Sequence, residues 1–242
     1  MTSPLTLITG HSRGLGLAMT RQLLAAGHQV LGIARHPSGL AHPALTEWQA
    51  DLADAAPVAH RLRAWLATHP ADGGSALTLI NNAGTLGALR PLADSPPEEV
   101  ARALRVGLEA ALLLTGAFIA GSQGHAGPRR VLNISSGLGR RAMAAQAPYC
   151  AAKAGIDHMS RAVALEAPGV AVVALAPGVF DTDMQRQLRG ADPAAFPDQP
   201  QFARLATEGQ LLSPEQAAAR VLAYLDRPDF GREPVADVRD QP

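Results

Sequence analysis

The stretch from Leu5 to Leu24 constrains the fold of this chain more than any other. Leu5 to Thr9 is a short apolar run, Gly10-His11-Ser12-Arg13-Gly14-Leu15-Gly16 follows, and a helical spacing of apolar residues then continues through Leu24 and stops at Gly27. A strand that turns through glycines into a helix is the entry of a strand-helix-strand unit. Its turn bends tightly and lets a phosphate approach the backbone, where the N–H groups at the helix start meet it. Gly10, Ser12, Arg13, Gly14, Leu15 and Gly16 are therefore candidates for holding a dinucleotide pyrophosphate. The spacing is G-x-x-x-G-x-G, and alone it is equally a purely structural turn, so its context decides.

That context is a chain of alternating strands and helices. Gln29 to Ala34 reads as a second strand, ending in Arg35 and His36 where a carboxylate for a ribose 2′-hydroxyl usually stands. A cation in that place, with Arg13 in support, suits a 2′-phosphate and points to NADP(H); a solvated strand end is the plainer reading of Arg35. Trp48 to Ala50 reads as a short strand reaching Asp51-Leu52, with Asp51 placed either for an adenine amine or as N-cap of a helix over 53–68. Leu77 to Ile80 opens into Asn81-Asn82-Ala83-Gly84, whose amides can fix neighbouring loops and whose glycine admits a ribose. Pro97 to Ile119 is a long apolar helix, suited to the sheet and to a second subunit. Strands follow at Val131 to Ile134 and Val170 to Leu175, the latter running into Pro177-Gly178-Val179 and Thr182. Gln185 to Gln210, with three prolines, reads as a lid or substrate loop carrying short helices. Ser213 and Pro214 open a last helix as N-cap and N1, and Pro234 to Val238 adds an edge strand.

The chemistry sits between Asn133 and Lys153. Tyr149 and Lys153 stand four apart in a helix predicted over 149–166, so a phenol and an ammonium share one face. A fixed cation favours the phenolate, and the expectation is a Tyr149 that ionises nearer neutrality. Ser136, at a strand mouth, offers a hydroxyl to a substrate oxygen, and the three groups together suit proton transfer to a carbonyl. Y-x-x-x-K alone is a weak pattern.

Whole-chain quantities narrow the partners. The 242 residues carry 21 basic and 21 acidic side chains, a balance that attracts neither nucleic acid nor an anionic membrane, so a small neutral molecule is the expected partner. The single Cys150 excludes an internal disulfide and a cysteine zinc site, and it reads as a packed residue. The eight histidines show no paired ligand spacing, so no metal is expected, and His11 and His36 read as cofactor-rim or solvent residues. The start Met-Thr-Ser-Pro lacks a basic leader, and no run reaches the ~20 apolar residues of a membrane span, which makes the cytoplasm the expected address.

Four signals in order, the Thr9 to Gly16 turn, Asn81 to Gly84, Ser136 with Tyr149 and Lys153, and Pro177-Gly178 before Thr182, closely resemble the short-chain dehydrogenase/reductase family along essentially the whole chain. The resemblance implies a single domain over 1–242 with a Rossmann-type, doubly wound parallel sheet in three layers. It implies that Ser136 orients a substrate carbonyl and that Tyr149 donates the proton. Lys153 lowers the tyrosine's pKa and binds the nicotinamide ribose, and Thr182 with the backbone after Pro177 holds the carboxamide end. It also implies a homodimer, with a tetramer depending on the tail Asp240-Gln241-Pro242. Ser135 is then structural. One departure stands out: Gly107 occupies the site of the family's usual Asn, which bears on proton delivery. The second half is most similar to the sepiapterin reductase branch, with bacterial relatives that reduce benzil. The carrying residues are Asp181 to Gln185, Glu208 to Leu212 and the Asp-rich tail, where Asp237 matches a pterin-anchoring carboxylate. The implied function is NADPH-dependent reduction of a dicarbonyl. The alternatives are a 3-oxoacyl carrier reductase or general alcohol dehydrogenase, and an NADP-sensing protein without turnover.

Overall fold

In the computed structural model, which describes residues 3–69 and 74–240, strands β1 (Leu5–Thr9), β2 (Gln29–Ala34), β3 (Leu45–Gln49), β4 (Leu77–Asn81), β5 (Arg129–Ile134), β6 (Ala171–Ala176) and β7 (Val235–Asp237) form one parallel sheet. Their order is β3-β2-β1-β4-β5-β6-β7. The helices are α1 (Gly14–Ala25), α2 (Ala56–Thr68), α3 (Pro97–Leu104), α4 (Ala110–Gly121), α5 (Ala147–Glu166), α6 (Asp183–Arg189), α7 (Gln199–Thr207) and α8 (Pro214–Leu225). The expected three-layer, doubly wound architecture is what the chain adopts. Chain order reverses direction across the sheet between β1 and β4, which opens a crevice at the carboxyl ends of the strands.

The central strands are continuous apolar runs because both sheet faces are covered. Their side chains alternate between two cores. Leu7, Ile33, Leu79 and Val131 pack with Leu62 of α2 and with Leu114 and Phe118 of α4. Ile8, Ile80, Leu132 and Val173 pack with Met19 of α1 and Val221 of α8. Most of these side chains are wholly buried, and each removal of such a side chain from water is worth about 1.5–3 kcal/mol.

Three expectations need correction. The third strand runs from Leu45 to Gln49 and not from Trp48 to Ala50; it is a sheet edge with Trp48 as its buried residue, so it shows no apolar run to find. The long helix continues to Gly121 and contains a π-helical turn, Arg105–Glu109, centred on Gly107. Pro97–Gly121 is also long and apolar enough to cross a membrane by length and composition, contrary to the reading that no run reaches that size. Here its apolar residues serve the core, although Leu112 stays exposed. Two expectations at the end of the chain match: Ser213 and Gln216 form a reciprocal capping box on α8, and β7 is the parallel edge strand beside β6. Gln241 and Pro242 of the tail lie outside the described residues.

Candidate active site

At the crevice, α1 begins without a side-chain cap and without an acidic residue in its first turn. Its first N–H groups therefore keep their capacity for an anion. Gly14 takes φ +53°, and a Cβ on Gly16 would land on the Gly10 carbonyl oxygen and the Asn82 amide. The turn is held to β4 by hydrogen bonds. Asn82 Nδ2 donates to the Thr9 carbonyl at 2.9 Å, while the N–H groups of Asn82 and Ala83 donate to Thr9 Oγ1 at 2.9 and 3.0 Å. His11 lies beneath the turn, with Nε2 2.6 Å from Glu47 Oε1 and its ring against Gly32, where a Cβ would collide with it. It is 1% exposed, so it ties the turn to β2 and β3 and is no cofactor-rim residue.

Toward the β3 edge, Arg35 and His36 end β2 exposed to solvent. Asp51 accepts from the Ala53 N–H at 3.0 Å and from Arg102 Nη2 at 3.1 and 2.9 Å. The Ala53 hydrogen bond, with Arg102 and Arg35 adding to it, holds this carboxyl below its ordinary value. Asp51 does not cap α2, whose N-cap is Ala55. Arg13 reaches Asp183 Oδ2 at 3.3 Å, linking the glycine turn to α6 in an exposed pair of the kind that contributes about 0–1 kcal/mol.

Toward β7 the chemistry collects. α5 places Lys153 Nζ 5.6 Å from the centre of the Tyr149 ring, and Nζ donates to the Ile134 carbonyl at 2.6 Å. Ser136 accepts from the Leu138 N–H at 3.2 Å, and its hydroxyl favours the ionised form of Tyr149. Burial pushes the Tyr149 phenol up to about 12, with Ser136 opposing, and pushes Lys153 down to about 8, with Asp157 opposing. Burial of the phenol thus works against the expectation of a Tyr149 brought toward neutrality. Ser135 is buried and donates to Asp157, one turn beyond Lys153, as a structural residue would.

One cleft of about 790 Å³ joins these regions, and every site residue singled out from the sequence lines it, including Leu52, Gly84, Pro177, Gly178, Val179, Thr182 and Asp237. Its apolar wall near Tyr149 is formed by Leu86, Met143, Met184, Leu188 and Phe202, backed by the fully buried Phe196. The α6–α7 segment that supplies much of this wall is clipped at its base, where Phe180 bridges Leu212 and the Asp181 N–H donates to the Leu212 carbonyl at 2.9 Å.

Sequence reasoning missed several lining residues. Arg102 approaches Asp51 from α3, Met143 comes from the loop before α5, and Arg239 pairs with Asp237. Gln185 is 3% exposed with neither amide atom partnered. Gln185 stands in the Asp181 to Gln185 stretch that carries the resemblance but takes no role from it; the others carry no signal without the fold.

The short chain dehydrogenase family matches residues 4–193. Benzil reductase ((S)-benzoin forming) of Bacillus subtilis (strain 168) is 31% identical over 227 residues, 92% of this chain and 93% of its own. Sepiapterin reductase of Meriones unguiculatus is 33% identical over 243 residues, 93% and 92% of the two chains. A short chain dehydrogenase/reductase structure from Saccharomyces cerevisiae superimposes with a TM-score of 0.83 at 22% identity, over 98% of this chain and 97% of its own.

Proposed function

Because the chain belongs to the short chain dehydrogenase family, a family of oxidoreductases, we propose that it reduces a small dicarbonyl compound with NADPH. One observation carries this reading: a phenol, a serine hydroxyl and a buried ammonium meet at one end of a cleft whose other end offers Arg35, and no carboxylate, directly after β2. The uncapped start of α1 and the glycine turn fit a pyrophosphate, and Arg35 fits a 2′-phosphate. Bound there, the nicotinamide supplies hydride to the carbonyl carbon.

The remaining work falls to the chain. Ser136 holds the carbonyl oxygen, and Tyr149, neutral at any pH near 7 with its value at about 12, gives that oxygen a proton as negative charge develops. A phenol held protonated is in the right state to give that proton. Lys153, whose charge is largely present at pH 7, supplies a cation beside the phenol and a donor for a ribose hydroxyl. The relatives named for benzil and sepiapterin support a dicarbonyl substrate. Leu112 and Leu165, exposed on α4 and α5, support a homodimer through those helices.

Oxidation of NADPH, followed optically with benzil, sepiapterin, an acetoacetyl thioester and a simple aldehyde, tests the proposal. The dicarbonyls turn over fastest, NADH serves poorly, and Tyr149→Phe loses on the order of 10²–10⁴-fold in kcat while still binding NADPH. Tight NADPH binding with no turnover of any carbonyl overturns the reading.

A further inference from the structure

The substrate end of the cleft carries an ion pair that the proton chemistry does not use. β7 ends at Asp237, which is 6% exposed, and both of its oxygens are taken by one guanidinium: Arg239 Nε donates to Oδ1 at 2.8 Å and Nη2 to Oδ2 at 2.6 Å. The Arg239 N–H adds a third bond, to Oδ1 at 3.0 Å. Arg140 stands behind the same strand, donating from Nη2 to the Ala236 carbonyl at 3.4 Å. Together these hold the Asp237 carboxyl below its ordinary range, Arg239 most strongly and Arg140 least.

Two consequences follow from this pairing. A ring bearing an amine donor meets a carboxylate whose Oδ1 already accepts two bonds and whose Oδ2 accepts one, so it competes there with a bidentate arginine, a contact whose fixed fork makes it stronger than a neutral hydrogen bond. The fork also uses only two of the five N–H donors of the guanidinium. The remaining donors sit on a side chain that is 65% exposed and lines the cleft with Tyr149, Ser136 and Arg141. The unpartnered, buried amide of Gln185 on the same cleft adds a further donor and acceptor.

We infer that Arg239 sets the substrate class: by sealing Asp237 and offering its own donors, it selects carbonyl compounds with a second acceptor oxygen, a neighbouring ketone or carboxylate, over ketones carried on an amine-bearing ring. The inference concerns the site of the reductase reading above and shares its cleft, but ligand selection there is measurable without turnover. Arg239 is thus a specificity-determining residue, and Asp237 is first its seat and only second a ligand for substrate.

The experiment compares the NADP-loaded wild type with Arg239→Ala, Arg239→Lys and the double variant Asp237→Asn/Arg239→Ala. Benzil, benzoylformate and sepiapterin are the probes, with Kd read by calorimetry and KM and kcat read wherever turnover occurs. In Arg239→Ala the oxo compounds weaken about tenfold in Kd and KM, the scale of one lost charged hydrogen bond, whereas sepiapterin tightens because Asp237 is released. Arg239→Lys keeps the charge without the fork and falls between. The double variant loses the gain in sepiapterin affinity, which a folding defect would not mimic. Shifts of both ligand classes in the same direction, no shift, no binding of either class to the wild type, or a wild type that prefers sepiapterin each overturn the inference. Opposite shifts in Kd without turnover leave it standing and remove the reductase reading; turnover without opposite shifts removes the inference alone.

Discussion

The two ends of the cleft are built by different means. At the glycine turn the lining comes from backbone: the open N–H groups of α1, a left-handed Gly14, and Asn82 bonding main-chain atoms of Thr9 and Gly10. At the other end it comes from side chains that meet from separate parts of the chain, Ser136 after β5, Tyr149 and Lys153 on α5, Gln185 on α6, and Asp237 with Arg239 at the tail. A backbone-built site tolerates no added atom but accepts many side chains around it. A side-chain-built site tolerates backbone adjustment but depends on which residues arrive and how they pair.

The strongest way to break that contrast is to add one methyl group at the backbone end. In Gly16→Ala the Cβ falls on the Gly10 carbonyl oxygen and the Asn82 amide, groups that are themselves hydrogen-bonded and cannot step aside. Fluorescence titration with NADPH gives an affinity lower by at least about a hundredfold, the size of a few kilocalories of backbone collision, with the melting temperature reporting any global cost. Binding within a few-fold of wild type would mean that side chains, not the turn, hold the dinucleotide.

The same contrast explains what was legible in the sequence. The glycine turn, the Asn82–Gly84 strand end and the Tyr149–Lys153 pair are short-range patterns: their spacing within one element already places them, and all line the cleft. What was not legible depends on partners far away in the chain. Nothing local shows that Asp51 meets Arg102 from α3, that Arg13 reaches Asp183, or that His11 turns inward to Glu47. The ionisation of Tyr149 was not legible for a related reason: the sequence displays the ammonium four residues away, but the burial that raises the phenol comes from tertiary packing around α5. β3 was placed only in part because just Leu45 and Trp48 pack into the cores, while Thr46, Glu47 and Gln49 between and after them are polar.

A pH profile sharpens the comparison with a smaller effect. Burial lowers Lys153 to about 8, so its charge is largely present near pH 7 and is lost as pH rises through that value, while Tyr149 at about 12 stays protonated throughout. For reduction by NADPH, log kcat/KM stays level to about pH 7.5 and then falls by about tenfold per pH unit above 8, with one break and not two. A break near 10 would show that the side-chain end is more solvated than its geometry indicates.

The smallest effect lies behind Lys153, at Gly107, where the sequence resemblance leads us to expect an asparagine. A Cβ on Gly107 meets the Ala152 Cβ at 3.1 Å, next to Lys153 on α5, so the helix with the π-turn and α5 approach more closely here than an asparagine permits without movement. Gly107→Asn therefore costs about 1–3 kcal/mol as an overpacked contact, read as a lower denaturant midpoint at unchanged m. Ala152→Gly alone costs about 0.5–1 kcal/mol for a glycine in a helix interior. If the contact is the cause, the double variant loses less than the two single losses added, since removing the Ala152 methyl makes room for the new side chain. Strict additivity would separate Gly107 from Ala152 and leave the π-turn itself as the reason for glycine; coupling would mean that the glycine and the close packing behind Lys153 are parts of one arrangement.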